Sequence, residues 1–193
     1  MTCIVGLIDK KNHNVIIGGD SASSGLNNIT IRKDTKVFKN GDFVFGCTSS
    51  YRMIQLLMYS FTPPPITKEI HEYLCTDFIT AMRECFRENG FIQKRDGGDE
   101  QGGTFLIAYK NRLFKIEDDF QVGESSDGYD ACGCGQDFAL GSLHSTDCTD
   151  KIYTPSTALE AHGRIELALK ASEHFCMGVG QPFILIETES DLC

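Results

Sequence analysis

Short apolar runs separated by polar turns open the chain, and their lengths are typical of β-strands. Residues 3–9 and 15–19 are rich in β-branched side chains and flank a polar turn, so they predict a β-hairpin. Residues 36–39 and 43–47 predict a second hairpin around an Asn-Gly-Asp turn. The small polar residues 21–28 predict a loop between the two hairpins.

Apolar residues at helical spacing follow these strands. Residues 49–61 and 67–89 carry apolar side chains about every four residues, and the prolines between them end the first helix. Further along, residues 136–143 predict a shorter helix. Residues 155–176 predict a longer one, whose first turn suits a proline.

The remaining predicted strands lie between the two pairs of helices and at the end of the chain. They are residues 104–109, 113–117, 120–122, 129–133 and 183–187, and a glycine-rich loop is predicted at 96–103. This order has no regular strand–helix alternation, which disfavours a doubly wound parallel sheet. Two antiparallel sheets with helices outside use every apolar face, and we predict one domain over residues 1–193.

Composition limits what the chain binds. The 193 residues are 41% hydrophobic with a formal net charge of -9, which predicts a folded acidic protein and disfavours nucleic acid as a partner. No apolar run approaches about 18 residues, so we expect no membrane span. The start lacks a signal-peptide pattern, which predicts a cytoplasmic protein. Nine irregularly spaced cysteines without a CxxC pair favour free thiols, with no metal and no cofactor expected.

Motifs near the N-terminus carry a resemblance to a known family. TCIVG at residues 2–6, VIIGGDSASSG at 15–25, KVF at 36–38 and GCTSS at 46–50 closely resemble proteasome β-subunits and the bacterial HslV peptidase. GCGQDFALGSL at 133–143 is similar to a Gly-Ser-Gly helix start in that family. The resemblance implies the α+β fold of N-terminal-nucleophile (Ntn) hydrolases, a four-layer αββα sandwich of two antiparallel sheets between helix layers.

The resemblance implies that Thr2 is the nucleophile once Met1 is removed. A threonine hydroxyl needs a base beside it, and an N-terminal threonine has one in its own α-amine, since such amines titrate near ~8. Thr2 is small, and initiator methionine is generally removed before small residues. We therefore expect no propeptide. Without the neighbouring motifs, Thr2 would be interpreted as the first residue of a strand.

The same family places an aspartate and a lysine beside the threonine. Asp20 ends the second predicted strand, and Lys36 follows it by 16 residues, which is the family's spacing. Lys33 is an alternative by raw count, and Lys36 is preferred because the first hairpin is about two residues longer than usual. The lysine ammonium would favour a neutral amine and stabilise a developing alkoxide. Taken alone, Asp20 would be interpreted as a loop cap and Lys36 as a solvated strand lysine.

The family's oxyanion hole is a backbone N–H at a Gly-Gly pair, and this chain has Ser49 and Ser50 there. Backbone donors do not require glycine, so the function is expected to persist. A serine here also predicts a helix N-cap. The resemblance further implies substrate-binding positions at Ser24 and Thr48.

Three residues depart from the family pattern. Cys134 stands where the family has a serine near the threonine amine, and a thiol is a weaker hydrogen-bond partner. Cys132 and Cys134 could form a metal or redox pair, but they have no further ligand nearby. The family's acidic residue near the end of the last long helix appears as Glu173 or His174, with His174 in better register. His174 equally suits a helix C-terminus. Ala22 replaces a frequent arginine or glutamine.

These residues support an amide-bond hydrolase, a threonine-type peptidase in which Thr2, Asp20, Lys36, Cys134 and His174 form the catalytic group. Two alternatives stay open, a non-catalytic ring-forming scaffold subunit and an Ntn amidase or acyl-transferase with another substrate. We expect a peptide or protein substrate and a homo-oligomeric ring, with the apolar helices at 49–61 and 67–89 buried between subunits. No phosphate-binding loop occurs, so any ATPase unfoldase would be a separate chain.

Overall fold

The structure, a computed structural model, describes residues 1–25, 27–95, 98–100, 102–147 and 160–190. In chain order the strands are β1 (Ile4–Asp9), β2 (Asn14–Gly19), β3 (Ala22–Ser24), β4 (Ile29–Ile31), β5 (Val37–Asn40), β6 (Phe43–Cys47), β7 (Gln93–Arg95), β8 (Gly98–Glu100), β9 (Phe105–Tyr109), β10 (Arg112–Ile116), β11 (Val122–Glu124), β12 (Tyr129–Cys132) and β13 (Ile184–Glu187). The helices are α1 (Tyr51–Tyr59), α2 (Ile70–Tyr73), α3 (Ile79–Glu88), α4 (Gln136–Ser145) and α5 (Ala161–Phe175).

Two antiparallel sheets form the centre of the described structure. One has the strand order β12-β1-β2-β13, and the other has the order β11-β10-β9-β6-β5. Side chains alternate between the two faces of each strand, as the period of two requires. Along β1, Ile4 faces the space between the sheets, whereas Val5 faces a helix layer. Along β6, Val44 faces the other sheet, whereas Phe45 faces the opposite helix layer.

Three hydrophobic clusters correspond to the three interfaces of a four-layer sandwich. The five-stranded sheet packs on α1 and α3 through a cluster rich in phenylalanine, and the four-stranded sheet packs on α4 and α5 through aliphatic residues. A third cluster lies between the sheets, where a Cβ on Gly46 would come within 2.5 Å of the Ile4 side chain. The sheets therefore pack closely, and the predicted αββα architecture is confirmed.

The helices differ from prediction mainly at their ends. The 67–89 helix begins at Ile70 and is interrupted by a wide π-helical turn, Leu74–Phe78, before α3. The 155–176 helix is described from Ala161 to Phe175, and its predicted start at Pro155 lies outside the described residues. In the described part of the chain, no helix is both long and apolar enough to cross a bilayer.

Two predicted loops contain short strands. Residues 21–28 include β3, which pairs with β4, and residues 96–103 include β8, which pairs with β7. Residues 26, 96, 97 and 101 lie outside the description. The loop prediction was wrong for β3 because this hairpin is held by backbone pairing. Its Ile29 and Ile31 side chains are exposed, so no buried alternating face marks it in the sequence.

Strand register brings five chain segments together at one end of the sandwich. Ile4 pairs with Gly19 on β2 and with Cys132 on β12. At the same end of the other sheet, the Cys47 N–H donates to the Lys36 carbonyl. The residues just outside these strand ends form the candidate site.

Candidate active site

Thr2 precedes β1 and is buried, with 6% of its surface exposed. Its Oγ1 donates a 2.7 Å hydrogen bond to the Met1 carbonyl, and its amide N–H donates to Cys134 Sγ at 3.2 Å. The Met1 ammonium donates to Ser24 Oγ at 2.9 Å. With Met1 attached, the Thr2 nitrogen is an amide and has no proton-accepting lone pair for catalysis.

Asp20 and Lys36 form a buried ion pair next to the start of β1. Lys36 Nζ donates to Asp20 Oδ1 at 2.8 Å, and the side chains are 3% and 0% exposed. Oδ1 also accepts from the Cys3 N–H at 3.0 Å. Oδ2 accepts from the N–H groups of Ala22, at 3.0 Å, and Gly180, at 3.3 Å. Four donors therefore satisfy the carboxylate, which offsets much of the cost of burying it.

Among the described residues, the Lys36 ammonium has two hydrogen-bond acceptors for its three N–H groups. Nζ donates to the Ala22 carbonyl at 2.6 Å as well as to Asp20, and a lysine ammonium has three N–H groups. Lys36 and Thr2 line the same small cavity. The remaining N–H is therefore available to an oxygen atom in that cavity.

Ser49 and Ser50 have different roles. The Ser50 N–H already donates to the Thr48 carbonyl at 2.8 Å, and the Ser50 hydroxyl caps α1 by accepting from the Met53 N–H. Ser49, which lies between Thr48 and Ser50, adopts a φ of 66°, a left-handed conformation that favours glycine. Within the described residues, no acceptor is recorded for the Ser49 N–H. Of the two predicted oxyanion donors, the geometry favours Ser49.

The cavity beside Thr2 is formed by the end of β6 and the start of α1. Its lining residues are Thr2, Lys36, Cys47, Thr48, Ser49, Ser50, Tyr51 and Ile54. Tyr51 was missed by the sequence reasoning, although its ring faces the site and carries the Arg32 guanidinium at 4.0 Å from its centroid. Burial raises the pKa of Tyr51. The sequence signal that could have identified Tyr51 is its position as an aromatic residue directly after a predicted N-cap serine.

The two predicted substrate-binding residues, Ser24 and Thr48, have different contacts. Ser24 holds the Met1 ammonium, and Thr48 lines the cavity. The Thr48 hydroxyl is engaged with the chain, since it donates to the Thr104 carbonyl at 2.7 Å. It also lies 3.2 Å from Ser49 Oγ.

Cys134 lies directly against Thr2 because of the turn before α4. Gly133 has a φ of 95°, and a Cβ there would lie 2.3 Å from the Thr2 carbonyl oxygen, so only glycine fits. This close approach lets Cys134 Sγ accept from the Thr2 N–H and lie 3.3 Å from the Thr2 carbonyl, to which it donates. Burial and the hydrogen bond to Cys176 raise the pKa of the Cys134 thiol, although the nearby N-terminal ammonium lowers it.

The end of α5 contributes a cysteine rather than the predicted histidine. The His174 ring is exposed and packs edge-on against Phe175, with centroids 4.6 Å apart, and within the described residues no hydrogen bond or ion pair joins it to Thr2. Glu173 binds the backbone and side chain of Gln181. Cys176, which the sequence reasoning did not select, places its Sγ 3.0 Å from that of Cys134.

A larger cavity lies elsewhere in the described structure. It has a volume of about 470 Å³ and is lined by the β1–β2 turn and the start of α5, including Asp9, Lys11 and Arg164. It shares no residue with the Thr2 cavity. The groups needed for Thr2 chemistry therefore lie at the smaller cavity.

Comparison with known proteins identifies the fold. No family model and no curated protein matches the sequence. The solved structure of BPH from Thiobacillus denitrificans matches with a TM-score of 0.79 at 19% identity, covering 100% of both chains. Its complex with epoxomicin gives the same score and identity, with 97% of this chain and 98% of that chain covered.

Two other proteins share the architecture. HslV from Trypanosoma brucei matches with a TM-score of 0.65 at 16% identity, over 97% of this chain and 99% of that one. Anbu from Hyphomicrobium sp. strain MC1 matches with a TM-score of 0.63 at 16% identity, over 98% of this chain and 82% of that one. At these identities the likeness is one of fold. The chain therefore has the fold of the proteasome β-subunit and HslV-like Ntn hydrolases.

Proposed function

We propose that the protein is a threonine-type amide hydrolase acting on peptides, with Thr2 as its N-terminal nucleophile after loss of Met1. One observation carries the proposal: the Asp20–Lys36 ion pair is buried, and Lys36 lines the Thr2 cavity with one ammonium N–H that has no acceptor among the described residues. A buried lysine that serves only stability would need no such opening. The epoxomicin complex of the similar BPH structure supports a peptide-like substrate.

The proposed reaction begins when Thr2 Oγ1 attacks the substrate carbonyl carbon. The free Thr2 α-amine takes the hydroxyl proton, and the Ser49 N–H donates to the oxyanion. The C–N bond breaks as the amine side of the substrate leaves with a proton, and an ester to Thr2 remains. Water then hydrolyses the ester and regenerates the hydroxyl.

The ion pair and the sulfur atom position the amine and the hydroxyl. Asp20 binds the Cys3 N–H and so fixes the chain just after Thr2, while Lys36 supplies positive charge near the developing alkoxide. Cys134 accepts from the Thr2 nitrogen, which orients it. His174 lies exposed against Phe175, and we assign it no step.

Removal of Met1 is a requirement of this mechanism. In the structure the Thr2 hydroxyl donates to the Met1 carbonyl, and Met1 packs over Gly178. Cleavage of the Met1–Thr2 bond would free the hydroxyl, create the α-amine and clear the space that Met1 occupies. A preparation that retains Met1 fully and is still active would contradict the Thr2 mechanism.

We also propose a homo-oligomer. Most apolar side chains of α1 and α3 lie inside the chain's own core, although Tyr59 of α1 is 79% exposed, so these helices offer less apolar surface for the predicted contact between subunits. The exposed apolar residues include Phe175 and Met177, at 66% and 81%, and Phe138 stacks on Phe175 at 5.2 Å. Phe138, near the start of α4, and Phe175, at the end of α5, are therefore a better candidate for the contact between subunits. A separate ATPase partner stays a prediction.

The central test compares Thr2→Ala with Thr2→Ser on a panel of short peptide amides. Thr2→Ala should lower kcat/KM by more than about a thousandfold, because it removes the nucleophile, whereas Thr2→Ser should retain part of the activity. Melting temperature and the particle mass from light scattering should be the same in both. Intact mass should show loss of Met1 and an epoxomicin adduct that Thr2→Ala lacks.

Two results would select the alternatives. Equal turnover in Thr2→Ala and the unchanged protein would remove the central claim. An oligomer with Met1 removed but no turnover on any amide would favour the hypothesis of a non-catalytic scaffold subunit.

A further inference from the structure

Two thiols from distant parts of the chain lie in contact beside Thr2. Cys134 Sγ and Cys176 Sγ are 3.0 Å apart, although the residues are separated by 42 positions. Cys134 comes from the turn between β12 and α4, and Cys176 caps the C-terminus of α5. A single S–S bond is about 2.0 Å long, so the sulfur atoms need to approach by only about 1 Å to bond.

The surrounding hydrogen bonds keep this pair together. Ser172 Oγ donates to the Gly135 carbonyl at 2.8 Å, which ties α5 to the turn that carries Cys134. The Cys176 N–H donates to the Ser172 carbonyl at 2.9 Å. The proximity of the two sulfur atoms is therefore supported by buried contacts on both sides.

Accessibility separates these thiols from the others around them. Cys3 is fully buried, and burial raises its pKa to about 12, so it stays a protonated, unreactive thiol. Cys132 is also buried, and its pKa is raised well above the usual value. The pKa of Cys134 is raised as well, mainly because the thiol is partly desolvated. Cys134 is nevertheless exposed and Cys176 is partly exposed, so a soluble disulfide can reach this pair. Within the described residues, no group of three possible ligands surrounds them, so a thiol pair fits better than a metal site.

We propose that Cys134 and Cys176 are a redox modification site, which a low-molecular-weight disulfide such as glutathione disulfide converts into a reversible disulfide that inactivates Thr2. The Cys134 thiolate attacks one sulfur of glutathione disulfide and releases a glutathione thiolate. The Cys176 thiolate then attacks the Cys134 sulfur and releases the second. Two protein thiols are oxidised to one disulfide, and glutathione disulfide is reduced to two thiols that take the two protons.

The disulfide would change the environment of the nucleophile. In the reduced protein, Cys134 Sγ accepts from the Thr2 nitrogen and donates to the Thr2 carbonyl. A disulfide sulfur has no proton to donate, and bond formation draws it toward Cys176. The Thr2 amine then loses the partner that orients it. This effect on turnover rests on the proposed function, whereas formation of the disulfide does not.

The experiment equilibrates the full-length protein in glutathione buffers that range from reducing to oxidising. Peptide mapping measures the Cys134–Cys176 disulfide, and turnover on a peptide amide is measured on the same samples. We expect kcat/KM to fall at least about tenfold as the disulfide forms, since the amine is the proposed general base. Dithiothreitol should restore it.

Matched variants separate this site from general oxidation. Cys134→Ser removes the attacking thiol, so whatever turnover it has in reducing buffer should persist in the oxidising buffer. Cys75→Ser removes an exposed thiol on the other helix layer and should be inactivated like the unchanged protein. Cys176→Ser keeps the attacking thiol but lacks the resolving one, so peptide mapping should find Cys134 joined to glutathione and no internal disulfide.

Three results would overturn the proposal: no mapped Cys134–Cys176 disulfide in oxidising buffer, inactivation of Cys134→Ser equal to that of the unchanged protein, or full turnover with the disulfide complete. If no variant has turnover in reducing buffer, the proposed function fails. In that case the peptide map still tests the modification site: a Cys134–Cys176 disulfide supports the site, and the absence of this disulfide refutes it.

Discussion

The two sides of Thr2 are built in opposite ways. The charged side, Asp20 and Lys36, is fully buried and held by five hydrogen bonds, four to the carboxylate and one from Lys36 to the Ala22 carbonyl. The sulfur side, Cys134 and Cys176, is partly exposed, and thiols are weak donors and acceptors. The charged side should therefore tolerate little change, whereas the sulfur side should accept substitution and chemical modification.

The largest expected effect is at the charged side. Lys36→Met keeps most of the side-chain volume but leaves Asp20 buried without its cation, which should lower the free energy of unfolding by about 3–5 kcal/mol. Turnover should fall as well, because the cavity loses its positive charge. Urea denaturation and peptide-amide hydrolysis measure the two effects.

Lys39→Met is the matched control for that substitution. Lys39 lies on the same strand, β5, and its side chain is exposed, so its replacement should change the free energy of unfolding by less than about 0.5 kcal/mol. Asp20→Asn should also be strongly destabilising, because both carboxylate oxygens accept from N–H groups and an amide NH2 must face one of them. If Lys36→Met had near-native stability, the charged side would not be the side that tolerates little change.

A smaller effect is expected where the two sides meet, at Ser49. Ser49→Gly should raise the free energy of unfolding by up to about 1 kcal/mol, because glycine adopts a φ of 66° without the clash of a Cβ atom. The neighbouring change Ser50→Ala should have the opposite sign and cost about 1 kcal/mol through loss of the α1 cap. Thermal melts of the two variants test this, and a shift in the same direction for both would contradict it.

The smallest effect is expected at the sulfur side in reducing buffer. Cys134→Ser should change the free energy of unfolding by less than about 0.5 kcal/mol and keep or raise kcat/KM, because a hydroxyl is a stronger partner for the Thr2 amine. Ser172→Ala, which removes a buried hydroxyl that binds Gly135, should cost about 1 kcal/mol and serves as the contrast. A tenfold loss of activity in Cys134→Ser would show that the sulfur itself is required.

Much of the fold was predictable because its apolar pattern matches its strand and helix periods. The strands at residues 4–9, 14–19 and 43–47 follow runs that are buried on both faces, as the interior sheets of a four-layer sandwich require. The β3–β4 hairpin was not predictable in this way, because Ala22 is the only buried residue in its two strands. The π-helical turn at Leu74–Phe78 likewise leaves the spacing of apolar residues nearly helical.

The candidate site was also only partly predictable from the sequence. Asp20 and Lys36 were selected because they match an aspartate and a lysine of the family that the sequence resembles, 16 residues apart, and the structure brings them into an ion pair. His174 and Cys176 are two residues apart at the end of α5, and no sequence pattern indicated that Cys176 would contact Cys134. Their roles in catalysis, and the single domain over residues 1–193, stay predictions.

By itself, the sequence determined the order of the elements, the faces that are buried and the spacing between Asp20 and Lys36. These depend on local periodicity and on short stretches of chain, where the geometry of a strand leaves few choices. Only the tertiary structure decided that Cys176 contacts Cys134, and that the N–H of Ser49, unlike that of Ser50, has no acceptor among the described residues. The contact between the two cysteines depends on where α5 ends against the turn at Gly133, since a shift of one residue at a helix end turns a side chain by about 100°. The orientation of the Ser49 N–H depends on the φ angle of that residue.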